Sequence, residues 1–370
     1  MDNHRLQALH DAGQSIWLDY IDRTILHNGD LERRLTDDVL TGMTSNPTIF
    51  QKALAEGTAY DAQLRSAPTS LDAGQLFELV ETQDVRDACD IFADVYHSTN
   101  GEDGFVSIEV SPGVANDFTA TVAEAHRLWT TVNRPNLLVK VPGTEEGAKA
   151  VRQLISDGIN VNITLLFAVK AHERVIDAYI DGLEARVARG EPIDRIASVA
   201  SFFVSRVDTE VDKRLEAIGG DARKLEGKAA VANAKMAYQL FLTKFDGPRW
   251  AALGAKGARV QRPLWASTST KNAAYRDVLY VETLIGPHTV NTMPPQTIED
   301  FRDHGIVART VDANMDQTRA DLSALAQAGI DLDDVTATLL RAGIESFEKS
   351  FATLSDGIRT KIAQLHQAAV

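Results

Sequence analysis

The segment NLLVKVPGTEEGAKAVRQLISDGINVNITLLF (136–167) decides the predicted fold. It begins and ends with short apolar runs rich in β-branched residues, which predict buried strands. The stretch between them is amphipathic, with Val151, Leu154 and Ile155 on one face of a predicted helix. A strand, a helix and a second strand in this order form the repeating unit of a parallel α/β sheet.

The same alternation recurs along the whole chain. The predicted strands are 15–21, 39–45, 105–111, 136–142, 159–167, 197–204, 262–268 and 288–294. Eight such units predict an α/β fold of the closed (β/α)8 or TIM-barrel type rather than an open sheet. No G-x-G-x-x-G motif follows the first strand and no Walker-type loop is present, which argues against a nucleotide-binding fold.

Additional helices are expected around the barrel. A helix at 2–12 precedes the first strand, and residues 295–367 continue as helices after the eighth. The segments 46–109 and 201–267 are too long to hold one helix each, so they contain inserted helices. Residues 57–70 are predicted to form a loop between two of these.

Composition limits the kinds of partner. The 370 residues include 38 Lys and Arg but 52 Asp and Glu, which leaves a net charge of −14. This charge is unfavourable for binding nucleic acid or an anionic membrane, so neither is expected as a partner. No linker divides the chain, and residues 1–370 are predicted to form a single barrel domain.

The single cysteine points to an intracellular protein. Cys89 cannot form an internal disulfide, and its place in a helical apolar pattern predicts a core position rather than a nucleophile. No signal peptide and no apolar run of membrane-spanning length are present, so a cytoplasmic location is expected.

The most informative polar residue is Lys140, inside the apolar strand 136–142. Reactive residues of such barrels lie at the carboxyl ends of the strands. Desolvation favours the neutral amine of a lysine, which can attack a carbonyl to give a Schiff base. The alternative is a structural lysine whose ammonium pairs with a carboxylate. The sequence around Lys140 alone leaves both interpretations open.

Polar residues at other predicted strand ends favour the catalytic interpretation. Asp19 and Glu109 could donate and accept protons beside a neutral amine, although each could also be a structural ion-pair partner. Neutral hydrogen-bonding groups suited to a polyhydroxylated substrate stand at Asn46, Asn162, Thr164 and Ser201. Arg206 and Lys271, with Ser267 nearby, follow late strands, where barrels often hold a phosphate group.

Taken together, these motifs resemble those of the transaldolase family. The similar segments occur in order from about residue 15 to residue 293 and include TSNPTIFQKAL, VSIEVSP, NLLVKVPGTEEG, NITLLF, SFFVSRVD and WASTSTKN. The resemblance implies a metal-free (β/α)8 enzyme without a cofactor. Such an enzyme moves a dihydroxyacetone unit between sugar phosphates through a lysine Schiff base, in the non-oxidative pentose phosphate pathway.

The resemblance also implies a role for each candidate residue. Lys140 corresponds to the Schiff-base lysine and Asp19 to the residue that handles the proton of the C4 hydroxyl. Glu109 corresponds to a glutamate that moves protons with a water held near Thr164. Substrate-contacting positions correspond to Asn46, Asn162, Ser201 and, for the phosphate, Arg206.

Two departures from the family pattern concern specificity. The loop after strand 7 is two residues longer than in many transaldolases and carries Lys271 where arginine is common. Related fructose-6-phosphate aldolases have tyrosine at the position of Phe203, which lacks the hydroxyl that assists direct aldol cleavage. The expected reaction converts sedoheptulose 7-phosphate and glyceraldehyde 3-phosphate into erythrose 4-phosphate and fructose 6-phosphate.

Two other functions remain open from the sequence. One is a Schiff-base aldolase similar to fructose-6-phosphate aldolase, and the other is a non-catalytic barrel that only binds sugar phosphates. The sequence is compatible with a monomer or a homodimer.

Overall fold

Eight parallel strands close into a barrel in which each strand pairs with its neighbour in the sequence and the last pairs with the first. The computed structural model describes residues 3–55 and 57–367. The strands are β1 (Gln14–Asp19), β2 (Leu40–Thr44), β3 (Phe105–Glu109), β4 (Leu137–Pro142), β5 (Val161–Leu166), β6 (Ser198–Phe203), β7 (Arg262–Ala266) and β8 (Thr289–Met293). The predicted (β/α)8 barrel is confirmed, and predicted and observed strand ends differ by at most two residues.

Helices surround the barrel and cover its carboxyl end. In the described residues they are α1 (His4–Asp11), α2 (Arg23–His27), α3 (Asp30–Asp37), α4 (Pro47–Ala55), α5 (Asp61–Ser66), α6 (Ala73–Ile91), α7 (Ala93–Ser98), α8 (Phe118–Val132), α9 (Glu145–Asp157), α10 (Val169–Ala188), α11 (Ser205–Ile218), α12 (Ala229–Lys244), α13 (Pro248–Gly254), α14 (Leu279–Glu282), α15 (Pro295–His304), α16 (Met315–Gln327) and α17 (Leu332–Gln367). Short 3-10 turns occur at Pro112–Val114 and Gly220–Leu225.

The unit β4–α9–β5 shows why the sequence folds in this way. Thr144 caps α9, because its hydroxyl accepts a hydrogen bond from the backbone N–H of Gly147 at 2.9 Å. The helix ends at Gly158, whose φ of 92° is readily adopted only by glycine. The side chains of Val151 and Leu154 are fully buried against the sheet.

The predicted additional helices are confirmed, with one exception. Residues 57–70 do not form a simple loop, because α5 lies within them. This helix is too short to be stable alone or to show a clear period. It is stabilised by burial of Leu64 and by an ion pair of 2.9 Å between Asp61 and Lys361 of α17. The predicted first helix is α1, and residue 2 lies outside the described residues.

The long helix α17 packs across the carboxyl end of the barrel. It contacts α4, α5, α6 and α11, which lie on different sides of the barrel opening. The hydroxyl groups of Thr48 and Ser350 are 2.9 Å apart and join α4 to α17. One turn earlier, Ser346 and Phe347 reach the cavity at the barrel opening.

The single cysteine is a residue of the hydrophobic core. Cys89 lies in α6 and is fully buried, as predicted, and burial raises the pKa of its thiol. Within residues 3–55 and 57–367, no helix combines the length and apolar character that crossing a bilayer requires.

Candidate active site

A cavity of about 830 Å³ opens at the carboxyl end of the barrel. Parallel strands bring their carboxyl ends to one rim, so polar residues from distant parts of the chain meet there. Nine of the eleven predicted site residues line it: Asp19, Asn46, Lys140, Thr164, Ser201, Phe203, Arg206, Ser267 and Lys271. The other two, Glu109 and Asn162, lie behind the wall and contact residues that line it.

Lys140 is the centre of the site. Its Nζ lies 3.0 Å from Oε2 of Glu109 and donates a hydrogen bond to the carbonyl oxygen of Ser45 at 2.9 Å. The register explains the first contact, since Glu109 and Lys140 are paired residues of β3 and β4. Both side chains are buried, with 6% of each residue exposed. The lysine is therefore held in place by its ion pair while its ammonium end reaches the cavity.

The electrostatics of this pair allow an internal proton transfer. Burial raises the pKa of Glu109 above its ordinary value, and the negative charge of Asp19 acts in the same direction. The nearby Lys140 ammonium opposes this rise. Moving a proton from the ammonium to the carboxylate removes both buried charges at once, so it needs no external base.

Asp19 lies at the end of β1 and faces the same cavity. The Thr44 hydroxyl donates to its Oδ1 at 2.8 Å and lies 2.6 Å from the Thr292 hydroxyl, which orients the carboxylate. Burial raises the pKa of Asp19, while the positive charges of Lys140 and other cations around the cavity lower it. An aspartate balanced in this way can both accept and return a proton.

A chain of neutral groups forms the floor. The Ser201 hydroxyl donates to Oδ1 of Asn162 at 2.7 Å, and Nδ2 of Asn162 donates to the Ser107 hydroxyl at 3.0 Å. Asn162 is completely buried and lies below the wall instead of on it. Thr164, by contrast, lines the cavity, and its buried hydroxyl has no hydrogen-bond partner among the residues described.

Asn46 follows β2 and begins α4. Its Oδ1 accepts hydrogen bonds from the backbone N–H groups of Thr48 and Ile49 at 3.0 and 3.1 Å. The side-chain carbonyl is therefore used to cap the helix. The amide nitrogen of Asn46 is the part that can donate a hydrogen bond to a ligand in the cavity.

The opposite side of the cavity is positively charged. The Arg206 guanidinium lies over the Phe203 ring, 5.1 Å from its centroid, and Nζ of Lys271 donates to the Ser269 hydroxyl at 2.6 Å. In the part of the chain that the structure describes, neither cation has a carboxylate within 4 Å. Burial lowers the pKa of both Arg206 and Lys271, and the charge of Arg206 adds to the effect on Lys271. Two such cations favour the binding of an anion.

Helix α11 holds the loop that carries Lys271. Oδ2 of Asp208 accepts a hydrogen bond from the Tyr280 hydroxyl at 2.8 Å, and Oδ2 of Asp212 accepts one from the Tyr275 hydroxyl at 2.6 Å. Arg206 lies in the first turn of the same helix. The two cations are thus positioned relative to each other through one helix.

Sequence reasoning missed several members of the site. Ser107 could have been found, because it alternates with Glu109 on β3 and so shares its face. Thr44 is the last residue of β2 and Thr292 the last but one of β8, so both are polar residues near strand ends like the predicted ones. Ser346 and Phe347 carry no local signal, because only the path of α17 brings them to the cavity.

Comparisons with known proteins agree with this arrangement. Residues 16–358 match a family model described as transaldolase/fructose-6-phosphate aldolase. A transaldolase of Acidothermus cellulolyticus is 51% identical over 355 residues, which cover 95% of each chain. One from Mycolicibacterium smegmatis is 48% identical over 363 residues, or 97% of this chain and 98% of the relative. One from Trichodesmium erythraeum is 45% identical over 375 residues, or 98% of each.

The buried carboxyl group of Asp208 predicts that the free energy of unfolding depends on pH. Burial raises the pKa of Asp208 from 3.8 to about 6, so the folded state favours the protonated form. Its contribution to stability is complete at low pH and is lost as pH rises through about 6. The side chain of the Asp208→Asn variant stays neutral at every pH. The free energy of unfolding of this variant minus that of wild type should therefore increase by up to about 3 kcal/mol between pH 4 and pH 7.

Urea unfolding at several pH values measures this difference. Asp221→Asn, at an exposed carboxylate, is the control and should show no such trend. Parallel stability curves for wild type and Asp208→Asn would contradict the assignment.

Proposed function

The chain belongs to the transaldolase/fructose-6-phosphate aldolase family, and we propose that Lys140 forms the Schiff base through which it transfers a dihydroxyacetone unit. The resemblance predicted from the sequence is confirmed. Relatives named transaldolase align over nearly the whole chain, so the predicted function, a transferase of the transaldolase type, is confirmed as well. The roles of individual residues are proposed from the geometry of the site.

The observation that carries the proposal is the buried pair of Lys140 and Glu109 at the cavity. The Lys140 ammonium gives a proton to Glu109 across 3.0 Å, and the resulting amine attacks the donor ketone carbon. The carbonyl electrons move to oxygen, which receives two protons in turn through Glu109 and leaves as water. Thr164, which lines the cavity and whose buried hydroxyl has no hydrogen-bond partner in the described residues, holds that water. Nitrogen loses two protons and oxygen gains two, so the step balances.

Asp19 then cleaves the carbon chain. Its carboxylate takes the proton of the C4 hydroxyl, the C3–C4 bond breaks and the electron pair moves into the iminium group on Lys140. The first aldehyde leaves, and the three-carbon enamine remains bound. An acceptor aldehyde reverses these events and takes a proton back from Asp19. Hydrolysis of the new imine releases the product ketose.

Neutral groups recognise the sugar hydroxyls. Asn46 donates from its amide, and Ser201 contacts the bound substrate while Asn162 holds it from below. Arg206, Lys271 and Ser267 hold the phosphate group at the positive side of the cavity. This local concentration of cations allows an anionic substrate to bind a chain with a net charge of −14.

The same scheme supports the remaining expectations. We propose that the substrates are sedoheptulose 7-phosphate or fructose 6-phosphate with an aldose phosphate acceptor. We also propose that residues 1–370 act as one domain in the cytoplasm, as the sequence predicts. The chemistry uses protein groups alone, and the proposed scheme includes no metal or cofactor.

A Schiff-base aldolase without transfer is the second candidate function. The wall residue Phe203 has no hydroxyl to assist direct hydrolysis of the three-carbon intermediate, which favours transfer. Fructose 6-phosphate supplied alone should therefore release free dihydroxyacetone at a small fraction of the transfer rate. Assays of dihydroxyacetone with and without erythrose 4-phosphate measure this ratio. Steady release at a rate equal to transfer would favour the aldolase.

Removal of the amine tests the catalytic assignment. Lys140→Met should lower kcat/KM by at least about a thousandfold, because the covalent intermediate can no longer form. The control is Lys235→Met, at a buried lysine that donates to the carbonyl oxygen of Ala313 away from the cavity. Coupled kinetics with circular dichroism check both variants. A folded Lys140→Met variant with activity near wild type would contradict the proposal and would be compatible with a different function.

The phosphate assignment predicts a selective loss. Lys271→Ala should raise KM for glyceraldehyde 3-phosphate by about tenfold, since a charged hydrogen bond is lost. The KM for unphosphorylated glyceraldehyde should change little, and Lys271→Arg should retain most phosphate binding. Equal effects of Lys271→Ala on both aldehydes would show that Lys271 does not contact the phosphate.

A further inference from the structure

A second buried carboxyl lies behind the reactive lysine and has no role in the scheme above. Glu81 is in the middle of α6, and only 4% of it is exposed. In the described part of the chain it makes no hydrogen bond and no ion pair. Carboxyl groups are rarely buried without a partner, because the ionised form loses its hydration. Those that are buried in this way often belong to functional sites.

Glu81 and Glu109 line the same small cavity. This rear cavity lies between α6, β3, α8 and α17, on the far side of Lys140 from the substrate cavity. Glu109 therefore stands between the two cavities, with Oε2 on the Lys140 ammonium and part of its surface facing Glu81. The position of Glu81 couples it electrostatically to the pair that starts the reaction.

The other charged groups around the rear cavity are already paired. Glu124 accepts hydrogen bonds from the backbone N–H and the hydroxyl of Ser111 at 2.8 and 2.9 Å. Arg127 lies 2.8 Å from Glu78 and 3.8 Å from Glu124. No charged residue of α17 lines the rear cavity in the described residues, where that helix contributes Phe351.

The net charge of the buried groups around Lys140 indicates that one of the carboxyl groups is protonated. Glu81 and Glu109 are two buried carboxyl groups beside the Lys140 ammonium, and Asp19, on the substrate side of that ammonium, adds a further negative charge. A buried group of one cation and two carboxylates would carry an uncompensated negative charge. Protonation of one carboxyl removes that charge. Glu109 has the ammonium as its partner, so Glu81 is the carboxyl that keeps the proton.

We propose that Glu81 is a positioning residue of the reaction, a buried carboxylic acid whose charge state sets how readily Glu109 takes the proton of Lys140. This inference rests on the proposed roles of Lys140 and Glu109. If Glu81 ionises, its negative charge acts more strongly on Glu109, which stands between it and Lys140, than on the ammonium, so it raises the pKa of Glu109 and favours transfer of the proton from Lys140. Schiff-base formation is then faster on the alkaline side of the profile, where Glu81 is ionised.

The environment of Glu81 agrees in direction with this role. Burial raises the pKa of Glu81 well above its ordinary value. The negative charges of Glu109, Glu78 and Glu124 act in the same direction, while Lys140 opposes them. The neutral form is therefore present at low pH and is lost as pH rises through this raised value.

Glu81→Gln tests the inference, because glutamine has nearly the same size and cannot ionise. The measurement is kcat/KM for transfer as a function of pH, together with the rate of borohydride-trapped adduct formation. The ratio of variant to wild type should fall by about tenfold from the neutral to the alkaline end of the profile, because the variant never gains the charge that raises the pKa of Glu109. Glu145→Gln, at an exposed glutamate outside the rear cavity, is the control, and its ratio should be independent of pH.

A second variant covers the case in which Glu81→Gln does not fold. Glu81→Met is also neutral, needs no hydrogen bond and faces apolar neighbours, Phe77, Leu128 and Phe351, across the rear cavity. Its ratio to wild type should show the same fall. A ratio that is constant across pH in either folded variant overturns the inference. Trapping of wild-type Lys140 separates the two proposals, because that adduct still forms if only the role of Glu81 is wrong.

Discussion

The ion pair between Lys140 and Glu109 is the interaction on which the site depends. A lysine ammonium in the interior of a barrel is costly unless a carboxylate compensates it, and here the partner lies on the neighbouring strand, 3.0 Å away. The same contact that makes the lysine tolerable in the fold also gives it a base. With the proton on Lys140 the pair is an ion pair that stabilises the fold, and with the proton on Glu109 it presents a reactive amine.

Barrel closure turns this pair into a site with two distinct sides. The eight strand ends place Asp19 and Lys140 around one cavity, while α11 brings Arg206 and, through Tyr275 and Tyr280, the Lys271 loop to its positive side. Covalent chemistry and phosphate binding thus occupy different walls. The helix α17 crosses the opening and contributes Phe347, so helices outside the barrel repeat complete the enclosure.

The strands and most of the site could be predicted because β-branched runs and polar strand ends are local signals. The depth of a side chain inside the barrel was not predictable in the same way. Asn162 and Thr164 share a face of β5, but Asn162 comes two residues earlier in the strand and so lies about 6–7 Å deeper, below the cavity wall. The short helix α5 depends on contacts with α17, and the partners of the Lys271 loop depend on tertiary packing. Glu81 lies in a mixed polar stretch that gives no sign of its burial.

The central claim is that Lys140, and no other lysine, carries the three-carbon unit. Borohydride reduction in the presence of fructose 6-phosphate, followed by peptide mass mapping, tests it most directly. A reduced three-carbon adduct is expected on the peptide that contains Lys140, in an amount that matches the loss of activity. Inactivation without an adduct on that peptide, or with the adduct on another lysine, would contradict it.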